Sequence, residues 1–227
     1  MIIPPFLKQG DTVGIVCTAR KFSAEEAQPA ITLLESWGLQ VKLGFTIGLD
    51  NHQLGGSDQQ RADDFQDMLN DATIKMIWCA RGGYGTVRMI DLVDFAVLLN
   101  HPKWIVGFSD VTTIHLWLQK NNWVSIHGPV ATQWSLQNES SEKNHRQLAN
   151  ALIGNPLLFE LNEANVYKPA AFNGELIGGN LSLLYASLGT DLQPVTDDKV
   201  LLIEDLDEYL YHIDRMLMAC KNAGLFN

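Results

Sequence analysis

The chain has 227 residues, 46% hydrophobic and 19% charged, enough to bury the core of one domain or of one and part of a second. A formal net charge of −10 disfavours a nucleic-acid partner, because that affinity comes mostly from Lys and Arg displacing counterions. No stretch reaches the roughly 18 apolar residues of a membrane span, and Met1 to Asp11 lacks the basic and apolar regions of a signal peptide. A cytoplasmic protein with neither a membrane nor a nucleic-acid partner is expected.

In chain order, Thr12 to Thr18 is a continuous apolar run of the kind found in a parallel sheet covered on both faces. Ser23 and Glu26 form a capping box for a helix with Ile31, Leu33, Leu34 and Trp37 on its apolar face, and Gly38 follows its end. Pro29 within that segment predicts a kink or a later start. Leu39 to Leu43 reads as a second strand. After the polar loop Gly48 to Gly56, Ser57 and Gln60 cap a helix carrying Ala62, Phe65, Met68 and Leu69. A third strand, Ile74 to Cys79, runs into the glycine cluster Gly82, Gly83 and Gly85. Those glycines let the backbone approach a ligand and turn its N–H groups inward, although they match neither a Walker A loop nor a dinucleotide fingerprint. A plain turn is the alternative.

Lys103 to Thr113 is the centre of the chain. Trp104, Ile105 and Val106 form a strand, Gly107 breaks it, and Ser109 and Asp110 stand where a helix begins. A serine there projects past the sheet edge, and the N–H groups opening the next helix favour negative charge at the same spot. Ser109 or Asp110 could equally be a simple helix cap. The G-x-S-x-G elbow is not met, because Val111 replaces its second glycine.

A further strand is expected at Trp123 to Ile126. The alternation of strands and helices predicts an open, mostly parallel α/β sheet, with ligands beyond the carboxyl ends of its strands. Ser135 to Ala171 is polar and irregular apart from a short helix at Gln147 to Ile153. The chain therefore divides into an N-terminal α/β domain, 1–154, a linker, 155–171, and a partial C-terminal domain, 172–227. In the last, a Gly-rich turn precedes a helix at Leu181 to Leu188, and a strand at Lys199 to Ile203 runs into Glu204. Glu204, Asp205, Asp207 and Glu208 read as a solvated helix start, but Glu204 ends the strand and could orient a histidine. Cys17, Cys79 and Cys220 lie far apart without metal-ligand spacing, so buried free thiols are expected, and neither a metal nor a cofactor.

Five stretches, taken together, resemble the L,D-carboxypeptidase family of serine peptidases, which includes the microcin C resistance peptidases. They are ARGGYG at Ala80 to Gly85, GFSD at Gly107 to Asp110, SIHGP at Ser125 to Pro129, GELIGGNLSLL at Gly174 to Leu184, and LLIED followed by IDRML within Leu201 to Leu217. The resemblance implies an N-terminal domain like class I glutamine amidotransferases, a mixed α/β C-terminal domain and a homodimer. It also implies a Ser, Glu, His triad. Ser109 matches the nucleophile, Glu204 the triad carboxylate, and the backbone of Asp110 and Gly83 the oxyanion donors. Arg81 is the candidate for the substrate carboxylate. The family's histidine lies well beyond the Glu, and none of His52, His101, His115, His127, His145 or His212 takes its place. The chain is therefore expected to be truncated before its base and nearly inactive alone, since losing that base costs a serine protease about a millionfold in kcat.

The activity implied is removal of the terminal D-Ala from a murein-derived tetrapeptide, at an L,D bond, in cell-wall recycling. A peptidase acting on a peptidyl or aminoacyl nucleotide and a non-catalytic peptide-binding protein are the alternatives. An amidotransferase is weaker, because Cys17 and Cys79 lie within strands rather than at an elbow.

Overall fold

The computed structural model describes residues 1–135, 139–159, 171 and 173–226. Its larger sheet has five parallel strands, β1 (Thr12–Val16), β2 (Gln40–Leu43), β3 (Ile74–Cys79), β4 (Trp104–Gly107) and β5 (Ile126–His127), in the order β2-β1-β3-β4-β5. The chain runs outward from β1 to β2, then returns past β1 and builds the other half. The order therefore reverses between β1 and β3, the point at whose carboxyl edge open α/β sheets bind their ligands.

The apolar runs at β1, β3 and β4 form the central strands because helices cover both faces. On one face lie α1 (Ala24–Ser36) and α5 (Glu139–Leu152), over a core including Val13, Ile15, Trp78 and Val106. On the other lie α2 (Asp58–Asn70), the short α3 (Thr86–Met89) and α4 (Thr112–Lys120), packed around Phe65, Ile77, Ile105 and Ile114. Both capping boxes form as expected at Ser23 and Ser57.

Four details depart from the sequence reading. Pro29 neither kinks nor delays α1, which starts at its cap and runs through the proline. α1 buries Ala27, Ala30 and Leu34, while Ile31, Leu33 and Trp37 are only partly buried. The last strand of the large sheet lies at Ile126–His127, because Trp123 and Val124 pair with Ile2 at the N-terminus instead. α5 begins at Glu139, well before the expected helix. The expected linker, 155–171, lies outside the described residues over 160–170.

A second sheet joins β6 (Glu175–Asn180) to β7 (Lys199–Glu204) in parallel, with α6 (Leu181–Ser187) and α7 (Leu210–Asn222) packed beside them. The expected glycine turn is thus the end of β6. Gly178 and Gly179 have φ of 113° and 142°, and a Cβ on Gly179 would lie 2.7 Å from Thr112 Oγ1. Glycine lets the β6 backbone rest directly on the start of α4, where Thr112 Oγ1 accepts from Asn180 N–H at 3.1 Å. The acidic run is not a solvated helix start either. Asp205 accepts from Asn180 Nδ2, from Ser182 N and Oγ, and from Leu206 N, tying β6, α6 and the β7 turn together.

Candidate active site

Ser109 sits between β4 and α4 with φ 60°, the left-handed region that costs a non-glycine residue about 1–3 kcal/mol. A single 3-10 turn, Ser109–Val111, carries the chain into α4. Gly107 makes the turn possible, because a Cβ there would meet Val111 side-chain carbons at 2.8–3.1 Å. The elbow is thus built around Gly107 and Val111 without a second glycine. Ser109 is half-buried, and its Oγ makes no hydrogen bond among the described residues.

The glycine loop faces this serine. A Cβ on Gly82 would lie 3.1 Å from Ser109 Cβ and 3.3 Å from Oγ, so the loop backbone abuts the hydroxyl. Gly83 and Gly85 adopt φ of 113° and 142°. Asp110 fastens the two segments, its Oδ2 accepting Thr86 N–H at 2.8 Å at the start of α3. Asp110 therefore caps the loop's helix rather than its own. Burial pushes its carboxyl up, opposed by the Thr86 hydrogen bonds.

Beneath the loop, Arg61 is fully buried. Its Nη1 donates to Gly85 O at 2.7 Å and to Thr18 O at 2.5 Å, and its Nη2 to Asp58, which also holds Arg88. The sequence motifs do not reveal this anchorage. An arginine on the apolar face of α2, beside Ala62 and Phe65, was its signal.

Glu204, at the end of β7, comes to the same edge. Its Oε1 is 3.6 Å from Nε2 of His127, which is paired in register with Gly107 two residues before Ser109. Burial pushes Glu204 up and His127 down. Both line a cavity of about 330 Å³ together with Phe108, Leu148 and Gln147. His115 is locked by Gly107 O and Ser125 Oγ, and burial pushes it down to about 4. Arg81 leans toward the start of α1, 3.5 Å from Glu26.

The candidates Ser109, Asp110, Gly83 and Glu204 thus share the carboxyl edge of the large sheet. No histidine hydrogen-bonds to Ser109 among the described residues. Those residues also hold no cluster of three or more His, Cys, Asp or Glu suited to a metal, and no helix long and apolar enough to cross a membrane.

The pattern of the LD-carboxypeptidase N-terminal domain matches residues 13–128, and that of the C-terminal domain residues 173–227. The chain belongs to the LD-carboxypeptidase family. The chain is 37% identical to a probable murein peptide carboxypeptidase of Bacillus subtilis, over 97% of this chain and 70% of that protein. It is 26% identical to a murein tetrapeptide carboxypeptidase of Pseudomonas aeruginosa, over 90% of this chain and 69% of the other. In fold it is similar to a mutant of the microcin C7 self-immunity protein MccF solved with adenosine monophosphate. That likeness has a TM-score of 0.87 at 18% identity, covering 100% of this chain and 77% of the other. A muramoyltetrapeptide carboxypeptidase from Oxalobacter formigenes gives a TM-score of 0.76 at 24% identity, over 94% and 72%.

Proposed function

We propose that this peptidase is a serine-type L,D-carboxypeptidase that removes the terminal D-Ala from a murein-derived tetrapeptide, in cytoplasmic cell-wall recycling and as a homodimer. The observation that carries the proposal is the left-handed Ser109 at a strand-to-helix elbow, its hydroxyl unengaged and pressed against Gly82. In this reading Ser109 Oγ attacks the carbonyl carbon of the L-centre. The N–H groups of Asp110 and Gly83 hold the oxyanion that forms, a donation worth about 3–4 kcal/mol apiece. The serine's proton passes to a histidine and from it to the departing D-Ala nitrogen. Water then attacks the acyl-enzyme and frees Ser109.

Glu204 is the carboxylate that orients that histidine. The reading takes the base from outside the described residues, since His127 lies against Glu204 without bonding Ser109 and His212 is bound to Glu208. It keeps the division into an α/β domain, 1–154, a linker and a C-terminal domain, 172–227. The murein carboxypeptidase relatives weigh toward a peptide substrate, whereas the likeness to MccF, at 18% identity, bears on fold alone.

The test expresses the protein at the length its gene encodes and follows D-Ala release from murein tetrapeptide by mass spectrometry. Release by the wild type that disappears in Ser109→Ala is the expected result. A well-folded protein that leaves the tetrapeptide intact overturns the proposal and favours the nucleotide-peptide or non-catalytic alternatives.

A further inference from the structure

We infer that Arg20, rather than Arg81, receives the terminal carboxylate of the substrate and thereby confines the enzyme to the last residue of a peptide. The inference rests on the peptidase reading above and adds the group that makes it an exopeptidase.

Arg20 follows the carboxyl end of β1, and Gly82 and Gly83 follow that of β3, so the two segments flank the point where the strand order reverses. The Arg20 backbone is fixed by a bridge to Leu54 and by the Lys21 N–H to Gln53 O bond. Its side chain lies along Gly83, where an added Cβ would be 2.7 Å from Arg20 Cδ and 2.8 Å from both Cγ and Nε. Gly82 is in the same relation to Ser109. The dipeptide thus has the nucleophile against one residue and the arginine stem against the next, and consecutive Cα atoms lie about 3.8 Å apart. In a carboxypeptidase substrate the scissile carbonyl and the terminal carboxylate are likewise separated by a single residue.

The charges agree with this placement. Arg61 and Arg88 are bound to Asp58, Lys21 to Asp50, and Arg81 lies at Glu26, whereas Arg20 forms no ion pair among the described residues. A guanidinium beside the oxyanion donors offers two parallel N–H bonds to a carboxylate. In a chain of net charge −10 it also gives an anionic peptide a local reason to bind.

The experiment compares murein tetrapeptide with the same peptide amidated at its C-terminus, using wild type, Arg20→Gln, Arg20→Lys and Arg81→Gln. Arg20→Gln is expected to raise KM for the free acid at least about tenfold with kcat nearly unchanged. On the amide, where wild type is already poor, it should cost nothing more, and Arg20→Lys should restore part of the loss. Equal losses on both peptides, no loss, or a carboxylate-selective loss in Arg81→Gln overturns the inference. Calorimetry of the two peptides with Ser109→Ala protein, with and without Arg20→Gln, decides the point independently of turnover. A preference for the free acid that vanishes with Arg20 supports the assignment, and absence of any preference sinks it. Wild type that binds with this preference yet releases no D-Ala would count against the peptidase reading alone.

Discussion

Nε2 of His127 and Oε1 of Glu204 meet at 3.6 Å between the two sheets, and neither His127 Nδ1 nor Glu204 Oε1 has a hydrogen-bond partner among the described residues. At that distance the pair is a contact rather than a hydrogen bond. Buried, unpartnered polar atoms are uncommon, and these two flank the turn that carries Ser109. His127 also has His115 facing it, with ring centroids 5.8 Å apart, and Phe108 edge-on at 6.3 Å.

The pair predicts a pH dependence. Because burial depresses His127 in the folded state, its protonation favours the unfolded chain. The associated stability is present above the ordinary histidine range and is lost as pH falls below it. Thermal melts between pH 7.5 and 5 should show a shallower fall for His127→Phe than for wild type. Equal slopes would separate His127 from the acid sensitivity.

Glu204→Gln should leave the melting temperature near that of wild type while lowering kcat by about 10³ to 10⁴, as for loss of an orienting triad carboxylate. Steady-state D-Ala release alongside thermal melting reads both. Unchanged kcat would remove Glu204 from the catalytic machinery.

Gly82→Ala places a methyl group 3.1 Å from Ser109 Cβ. Gly82 lacks the positive φ of Gly83, so little backbone strain is added. Displacing Ser109, the proposed nucleophile, by a few tenths of an ångström to 1 Å should cost up to about 100-fold in kcat. A loss of stability without loss of rate would contradict this.

Arg61→Leu should destabilise by about 3–5 kcal/mol, because the carbonyls of Thr18 and Gly85 lose a buried donor and Asp58 loses one of its two cations. Urea unfolding measures it, and a midpoint within error of wild type would show the network to be dispensable.

Burial pushes the Cys17 and Cys79 thiols up to about 12, and Cys220 is also buried and raised. A disulfide reagent should therefore leave the native protein unlabelled near neutral pH and report three thiols in denaturant. Rapid labelling of the native protein would mean that one of these sites opens.

Much of this protein was legible along the chain because its signals are local. Capping boxes at Ser23 and Ser57, the apolar runs of β1, β3 and β4, and Gly107 before Ser109 each act within a few residues, so periodicity and cap chemistry locate them. The α/β class follows from their alternation. Tertiary structure decided which carboxylate serves which partner. Asp110 caps α3 rather than α4, and Asp205, next to Glu204, is spent on Asn180 and Ser182. It also turned the glycines of β6 from an expected turn into a strand end seated on Thr112, and brought Arg20 against Gly83 across 62 intervening positions of chain. Such relations depend on which strands become neighbours. Strand order is set by packing of whole faces, which no short window of sequence contains.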